Sequence, residues 1–170
     1  GQRCCIPSVY LCGKGLVIDI CAQVLPEQIR AFMEKWHLAP DSDSGSFSRA
    51  QHMQMSAEHP LRFDVTAQIQ WGRQTLRWKH ASGSSWVPFL DDQCPETARQ
   101  AVEHYGLDPA FGWAFRRVSL PWATRRRPAL QPFRVTLSQE PDAIPGPQLS
   151  GLSSGDCVTI IHPVNGTRYE

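Results

Sequence analysis

Residues 63–71 alternate apolar and polar side chains without a break, as FDVTAQIQW. Because successive side chains of a strand point to opposite faces, this alternation predicts a strand with one apolar and one polar face. Such strands are typical of antiparallel sheets, since parallel sheets are usually covered on both faces. The pattern therefore indicates an antiparallel sheet with one face exposed to solvent.

Other segments extend this predicted sheet. Residues 16–24 alternate in the same way and place Asp19 and Cys21 on the face opposite the apolar side chains. Gly72 and Arg73 form a Gly-X pair suited to a type II′ turn, which predicts a hairpin. The Gly- and Ser-rich stretch at 82–85 predicts a turn. Further strands are predicted at residues 76–78, 115–122, 133–137, 158–161 and from 167 onward, the last two as a hairpin through Asn165-Gly166.

Two segments carry the i, i+3, i+4, i+7 apolar spacing of an amphipathic helix, one after Pro26 and one between Pro95 and Gly106. Ser48 and Gln51 form a capping box that predicts a third, shorter helix. Strands and helices do not alternate regularly. The sequence therefore predicts an α+β fold: an antiparallel sheet or sandwich of about six or seven strands, with two main helices and one short helix packed on it.

A chain of 170 residues with 41% apolar residues can bury one sizeable core, so residues 1–170 are predicted to form a single domain. The chain starts at Gly1 rather than Met, so we expect an N-terminus that was processed, trimmed or engineered. It stops at Glu170 within a predicted strand, which indicates that the natural chain continues. The most apolar run, residues 16–25, contains Asp19 and is too short to cross a bilayer, so no membrane span is predicted.

The charge balance narrows the classes of partner. The chain has 17 Lys and Arg residues and 16 Asp and Glu residues, which gives a net charge of +1. General nucleic-acid binding is disfavoured, because phosphate neutralisation usually requires a strongly basic protein. A protein partner, a small anionic ligand and a carbohydrate all remain open.

The six cysteines are too few for a disulfide scaffold and include no C-x-x-C pair. Cys4 and Cys5 either bridge to Cys12 or are free. Cys21 and Cys157 lie in strand-like runs and are predicted to be small buried groups. This usage favours the cytoplasm and leaves the redox state of the thiols open.

Cys94 is the first candidate for chemistry. It precedes Pro95 at a predicted helix start, where the helix dipole lowers a thiol pKa, although neighbouring carboxylates oppose that effect. A nucleophilic cysteine also needs a histidine base, and His104 lies about three turns away on the same helix. A capping or buried cysteine is the alternative. The six histidines show no H-x-H or H-x-x-x-H spacing, so no metal site or cofactor is assigned, and a Cys/His metal site assembled from distant segments is left as a third hypothesis.

Arg125, Arg126 and Arg127 follow Trp122 and form a concentrated positive patch beside an aromatic residue. Guanidinium groups match oxyanions well, and exposed indoles can stack on ligands. A solvated loop and a core tryptophan are the alternatives. The first hypothesis is therefore a non-catalytic binding or protein-interaction domain that presents these aromatic and arginine residues. The second is a small enzyme with a Cys- or His-based site, from Cys94 or His104, formed only in three dimensions.

Three segments carry a resemblance: residues 15–21 (GLVIDIC), 104–109 (HYGLDP) and 120–128 (LPWATRRRP). They resemble segments of an uncharacterised bacterial protein family of unknown function. The resemblance spans most of the chain and implies a bacterial source. It brings no activity, cofactor or site residue with it.

Overall fold

The computed structural model describes residues 3–38, 47–124, 128–139, 151, 153–161 and 166–169. Within these residues it contains nine strands and three α-helices, which confirms the predicted α+β class. The strands are β1 (Arg3–Cys12), β2 (Gly15–Val24), β3 (Val65–Trp71), β4 (Gln74–Arg77), β5 (His80–Trp86), β6 (Gly112–Pro121), β7 (Phe133–Gln139), β8 (Ile160–Ile161) and β9 (Arg168–Tyr169). The helices are α1 (Pro26–Lys35), α2 (Arg49–Glu58) and α3 (Glu96–His104), with a short 3-10 helix at Asp91–Gln93.

All strand pairs in the described residues are antiparallel, as the alternation predicts. One sheet has the order β1-β2-β6-β5, and a second has the order β4-β3-β7. The strands β8 and β9 form a separate two-stranded antiparallel ladder, which confirms the predicted pairing of the last two strands, while Asn165 of the predicted turn lies outside the described residues. We call the first two the four-stranded sheet and the three-stranded sheet.

The two larger sheets pack face to face, so the fold is a sandwich rather than a single sheet. The side chains between them come from alternate positions of each strand, because every second residue points to the same face. On β2 these are Leu16, Ile18 and Ile20, all buried. Their partners in the core are Val65, Ala67, Ile69, Trp71, Leu76, Val118, Leu120 and Trp122.

The outer face of the four-stranded sheet is covered in part by α3. Cys21, on the opposite face of β2 from Ile20, packs with Ala98 and Val102 of α3 and with Trp86 and Trp113. Asp19 lies on this same face of β2, two residues before Cys21. The outer face of the sheet therefore combines a small apolar cluster with polar groups.

The helices begin where the sequence signals them. Pro26 is the first residue of α1, where its fixed φ and missing N–H cost nothing. The Ser48 hydroxyl accepts from the Gln51 N–H at 3.3 Å, and the Gln51 side chain accepts from the Ser48 N–H at 2.8 Å, which confirms the capping box of α2. The third helix begins at Glu96 with Pro95 as its N-cap, so the predicted capping position of Cys94 is wrong by one residue.

The β3–β4 hairpin closes through Gly72 and Arg73, because Trp71 pairs with Gln74. Gly72 has a φ of +57°. Arg73 is not among the described residues with a positive φ. A positive φ at the first central position only is the pattern of a type II′ turn. The predicted turn type is confirmed.

Two strands differ from the sequence-based prediction. The stretch at 82–85 is not a turn: it lies inside β5, which pairs along its whole length with β6. Pairing with a long central strand outweighs the low strand propensity of Gly and Ser. The first strand, β1, is an additional edge strand whose side chains show no clear alternation. None of the helices in the described residues is long and apolar enough to cross a membrane.

Candidate functional site

A cavity of about 520 Å³ opens between the outer face of the four-stranded sheet and α3. Its volume falls within the range of small-molecule sites in proteins. All four strands of the sheet and one side of the helix contribute to its wall. The polar residues among those that line it are Tyr10, Asp19, Ser82, Ser84, Thr97, Gln100, His104, Tyr105, Arg116 and Arg117.

Strand register brings the central polar groups into one row. Ser8 of β1 is opposite Asp19 of β2, Asp19 is opposite Arg117 of β6, and Arg117 is opposite Ser82 of β5. Directly opposite residues of antiparallel strands lie close enough for their side chains to interact. A single row of four polar residues therefore crosses the sheet beneath the cavity.

The centre of this row is an ion pair between Asp19 and Arg117. The Arg117 Nε and Nη2 groups donate to the two carboxylate oxygens of Asp19, each at 2.7 Å. This two-bonded geometry is the strong arrangement for a guanidinium and a carboxylate. The side chain of Asp19 is only 9% exposed, whereas that of Arg117 is 58% exposed. The carboxylate therefore holds the guanidinium from the protein side and leaves its outer side accessible.

Two tyrosines extend the network from Asp19. The Tyr105 hydroxyl donates to Asp19 Oδ2 at 2.5 Å, and the Tyr10 and Tyr105 hydroxyl oxygens are 3.1 Å apart. Since the single Tyr105 hydroxyl proton is used on Asp19, Tyr10 is the donor in the second bond. The Arg117 guanidinium also lies over the Tyr10 ring, 5.8 Å from its centre, within the range of a cation–π contact. Asp19, Arg117, Tyr10 and Tyr105 thus form one connected group, which we call the Asp19–Arg117 network.

The ionisation states of this network are fixed by its own contacts. Burial alone would raise the pKa of Asp19, but the hydrogen bonds from Arg117 and Tyr105 outweigh it and lower the pKa. Burial and the bond to Asp19 raise the pKa of Tyr105. The bond to Asp19 raises the pKa of Arg117. Asp19 is therefore ionised, Arg117 is charged and Tyr105 is neutral near pH 7, so none of these three groups is suited to exchange protons with a substrate at that pH.

Small residues on β5 leave room for the cavity. Ser82, Gly83 and Ser84 line it on the sheet side, where larger side chains would fill the space beside Phe115. On the helix side, the lining residues are Thr97, Gln100, Ala101 and His104. This spacing of three, four and seven places them on one side of α3, while Ala98 and Val102 pack into the apolar cluster. The helix therefore presents one side to the core and another to the cavity.

Of the two catalytic candidates, Cys94 precedes α3 by two residues and His104 is the last residue of α3. His104 is at the rim of the cavity, with its ring edge-on to Tyr105 at 4.8 Å. Cys94 does not line the cavity: its sulfur accepts from the Val87 N–H at 3.2 Å and packs against the apolar cluster under the helix. Cys94 and His104 are ten positions apart, and most of the residues between them are helical. At the α-helical rise, the distance between the two residues along the helix axis is about 15 Å. They do not form a nucleophile–base pair.

The predicted aromatic and arginine surface is only partly described. Trp122 is a core residue, 8% exposed, with its ring edge-on to Trp71 at 5.5 Å. Its indole N–H donates to the Cys12 carbonyl at 3.0 Å. The indole is therefore not an exposed stacking surface, because the sandwich core covers it. Arg125, Arg126 and Arg127 lie outside the described residues.

The cysteines also depart in part from the sequence-based expectations. Cys21 is buried, as predicted, whereas Cys157 is exposed. Cys4, Cys5 and Cys12 are free and exposed, so the predicted alternative of a bridge to Cys12 is wrong. Cys5 and Cys12 lie seven residues apart on one strand, about 24 Å at the rise of an antiparallel strand. That separation is far beyond the span of a disulfide.

Sequence reasoning missed the residues that the structure brings together. It placed Asp19 on the polar face of β2 but gave it no role, and it did not single out Tyr10, Tyr105 or Arg117. The available signal was a carboxylate within an apolar strand, because an aspartate at such a position is seldom buried unless it has a partner. The identity of that partner depends on the pairing of β2 with β6, across 98 residues of sequence.

Among the residues that the structure describes, no three or more His, Cys, Asp or Glu side chains converge in a way that could hold a metal ion. Comparison with protein-family models, with curated proteins and with solved structures finds no match to this chain.

Proposed function

We propose that the protein is a non-catalytic binding domain that takes up a small anionic ligand of the carboxylate class in the cavity beside Arg117. The observation that carries this proposal is the guanidinium of Arg117, which is held by the buried carboxylate of Asp19 and is otherwise largely exposed. An arginine held in this way is pre-organised, so little side-chain entropy is lost when a ligand binds. Uptake of an anion at this position is consistent with the arginine-based binding that the sequence suggests, although at a different arginine.

The hydrogen-bonding capacity of the guanidinium supports an oxyanion as the ligand. Its two bonds to Asp19 use two of the five N–H donors that a guanidinium carries. Donors on its exposed side can therefore meet the two oxygens of a carboxylate. Asp19 also lines the cavity, but its side chain is 9% exposed and that of Arg117 is 58% exposed, so a ligand in the cavity has more access to the guanidinium than to the carboxylate.

Neutral donors around Arg117 would complete such a site. Ser82 lies directly opposite Arg117, and Ser84 and Gln100 also face the cavity. Their hydroxyl and amide groups donate hydrogen bonds without adding charge. Phe115 supplies an apolar wall for the body of the ligand. A few polar groups on a partly apolar wall are typical of small-molecule sites.

The proposal is tested by calorimetric titration of the protein with acetate, succinate, citrate, inorganic phosphate and glucose at low ionic strength. Saturable binding of at least one carboxylate is expected. The Arg117→Gln variant should bind it at least tenfold more weakly, since the loss of a charged hydrogen bond is worth about 1.5–3 kcal/mol. Arg77→Gln is the matched control, because Arg77 is an exposed strand arginine that does not line the cavity.

Three results would overturn the proposal. One is saturable binding of glucose alone. Another is equal weakening by the Arg117 and Arg77 variants, which would indicate a general charge effect. The third is the absence of saturable binding by any of the five compounds. Phosphate binding without carboxylate binding would keep the site but refute the ligand class.

A further inference from the structure

Cys5 and Cys21 meet side by side on the face of the four-stranded sheet that carries the cavity. They are directly opposite each other in the β1–β2 ladder, and their sulfur atoms are 3.0 Å apart. Both thiols are free in the structure. No step of the proposed ligand binding uses them, so their proximity calls for a separate explanation.

The geometry of the pair is close to that of a disulfide. Directly opposite residues of an antiparallel ladder have Cα atoms about 4.5–5.5 Å apart, which falls within the range that disulfides span. Bond formation requires the sulfur atoms to approach by about 1 Å, to the usual S–S length near 2 Å. Both residues lie on paired strands, so the approach needs side-chain rotation and little movement of the backbone.

The two thiols differ in accessibility, which assigns them different roles. Cys5 is exposed on the edge strand β1, whereas Cys21 is 0% exposed and packs under α3. Burial and the neighbouring Cys5 thiol raise the pKa of Cys21, and the same burial keeps reagents in solution away from its sulfur. Cys5 is therefore the thiol that reacts first with an external oxidant. Cys21 is the thiol that then attacks the mixed disulfide formed on Cys5.

The remaining cysteines of this region are poorly placed to compete. Cys4 is opposite Ala22 and so lies on the other face of β1 from Cys5. Cys12 is at the far end of β1, opposite Gly15. These two residues provide matched controls, since each is a free, exposed cysteine on the same strand as Cys5.

We propose that Cys5 and Cys21 form a reversible thiol-oxidation site that closes to an intrachain disulfide when it meets a low-molecular-weight disulfide. The Cys5 thiolate attacks the small disulfide, forms a mixed disulfide and releases one thiolate. The sulfur of Cys21 then loses its proton and attacks the Cys5 sulfur, which releases the second thiolate. Two protein thiols lose two electrons to the small disulfide, and their two protons pass to the two released thiols.

The test uses the full chain incubated with oxidised glutathione, blocked with an alkylating reagent, digested with trypsin and analysed by mass spectrometry without reduction. Cleavage after Arg3, Lys14 and Arg30 places Cys5 and Cys21 in different peptides. A linked pair of these peptides is expected, lighter than their sum by two hydrogen atoms, and it should disappear after reduction. The link should persist in Cys4→Ser and Cys12→Ser and be lost in Cys5→Ser and Cys21→Ala.

A second measurement separates loss of the link from loss of the fold. The disulfide closes a loop of about 15 residues, so the oxidised wild type should unfold at a temperature on the order of 5–10 °C above the reduced form. The Cys5→Ser variant should show a normal folded spectrum and no such shift. The proposal is refuted if the link runs through Cys4 or Cys12, or if only mixed disulfides with glutathione accumulate on the folded protein.

Discussion

Replacement of Asp19 by asparagine tests the central contact of the cavity. Asp19 accepts three hydrogen bonds, two from Arg117 and one from Tyr105. Asparagine has the same shape but offers one acceptor oxygen and one NH₂ donor. Its NH₂ group would face an N–H or O–H donor, so at least one buried hydrogen bond is lost and one donor is left unsatisfied.

The cost of this change follows from the exposure of each partner. Removing one member of a fully buried ion pair costs about 3–5 kcal/mol. Arg117 is 58% exposed, so water can solvate much of its charge and reduce that cost. An unsatisfied buried donor costs about 1–3 kcal/mol. The Asp19→Asn variant is therefore expected to lose about 2 kcal/mol of unfolding free energy, and its urea midpoint should fall by about 1 M.

The pH dependence of the loss gives a second check. The folded state holds the pKa of Asp19 below its ordinary value of 3.8, so the unfolded state binds the proton more readily. Stability from this carboxylate is present above that ordinary value and is lost as the pH falls through the folded-state pKa. The gap between wild type and Asp19→Asn should therefore be largest near pH 7 and shrink below about pH 4.

Urea unfolding of Asp64→Asn provides the matched control. Asp64 also pairs with arginines, with Arg62 at 2.7 Å and Arg116 at 3.5 Å, but its side chain is 36% exposed. Its loss should cost less than about 1 kcal/mol, as is usual for exposed ion pairs. The reasoning is refuted if Asp19→Asn is within about 0.5 kcal/mol of wild type, or if the Asp64 variant is equally destabilised.

Three further predictions concern the rest of the fold. Gly15→Ala should be strongly destabilising in thermal unfolding and Gly13→Ala should not, because an added Cβ at 15 would lie 2.4 Å from a backbone oxygen of β6 and one at 13 meets nothing within 4 Å. Ile69→Ala should lower the urea-derived unfolding free energy by about 2–5 kcal/mol, since Ile69 is fully buried, whereas Leu130→Ala, at a residue 76% exposed, should change it by less than about 0.5 kcal/mol. Burial lowers the pKa of His59, so the unfolded state takes up its proton more readily and stability should fall as the pH drops below about 6.5. Equal pH profiles for His59→Asn and wild type in urea titrations would contradict that assignment.

Alternation and capping signals were sufficient to predict much of the architecture from sequence. The strand patterns of β2 and β3, the Gly72 turn and the Ser48 capping box all concern contacts within a few residues, and all four appear in the structure. Each of these features depends on local chemistry that the sequence displays directly. The antiparallel sheet class followed from the same alternation.

The strands that the sequence patterns did not predict are stabilised by long-range pairing. A Gly- and Ser-rich segment such as β5 has the composition of a turn, and only the presence of β6 beside it makes it a strand. The edge strand β1 has no strong alternation: its first four residues are exposed, and its register against β2 shifts between Cys5 and Ser8. Strand propensity depends on such neighbours, which sequence position alone does not specify.

The candidate site was hidden for the same reason. Asp19 and Arg117 become neighbours through the β2–β6 register, and Tyr105 reaches them only when α3 packs on the sheet. Cys94 and His104 were candidates because of local sequence signals. In the fold, Cys94 precedes α3 and His104 ends it, so the two side chains do not meet. Sequence reasoning could place Asp19 on the polar face of its strand and could not identify its partners.

The proline of the edge strand limits the backbone pairing that β1 can offer to another chain. Between Cys5 and Ser8 the β1–β2 register shifts, and Pro7 lies within this irregularity. A proline has no N–H to offer a neighbouring chain, and a bulge twists the strand away from a straight template. An incoming strand could therefore pair with β1 only in short pieces on either side of Pro7. The β1 border of the sheet is therefore a poor template for intermolecular β-structure.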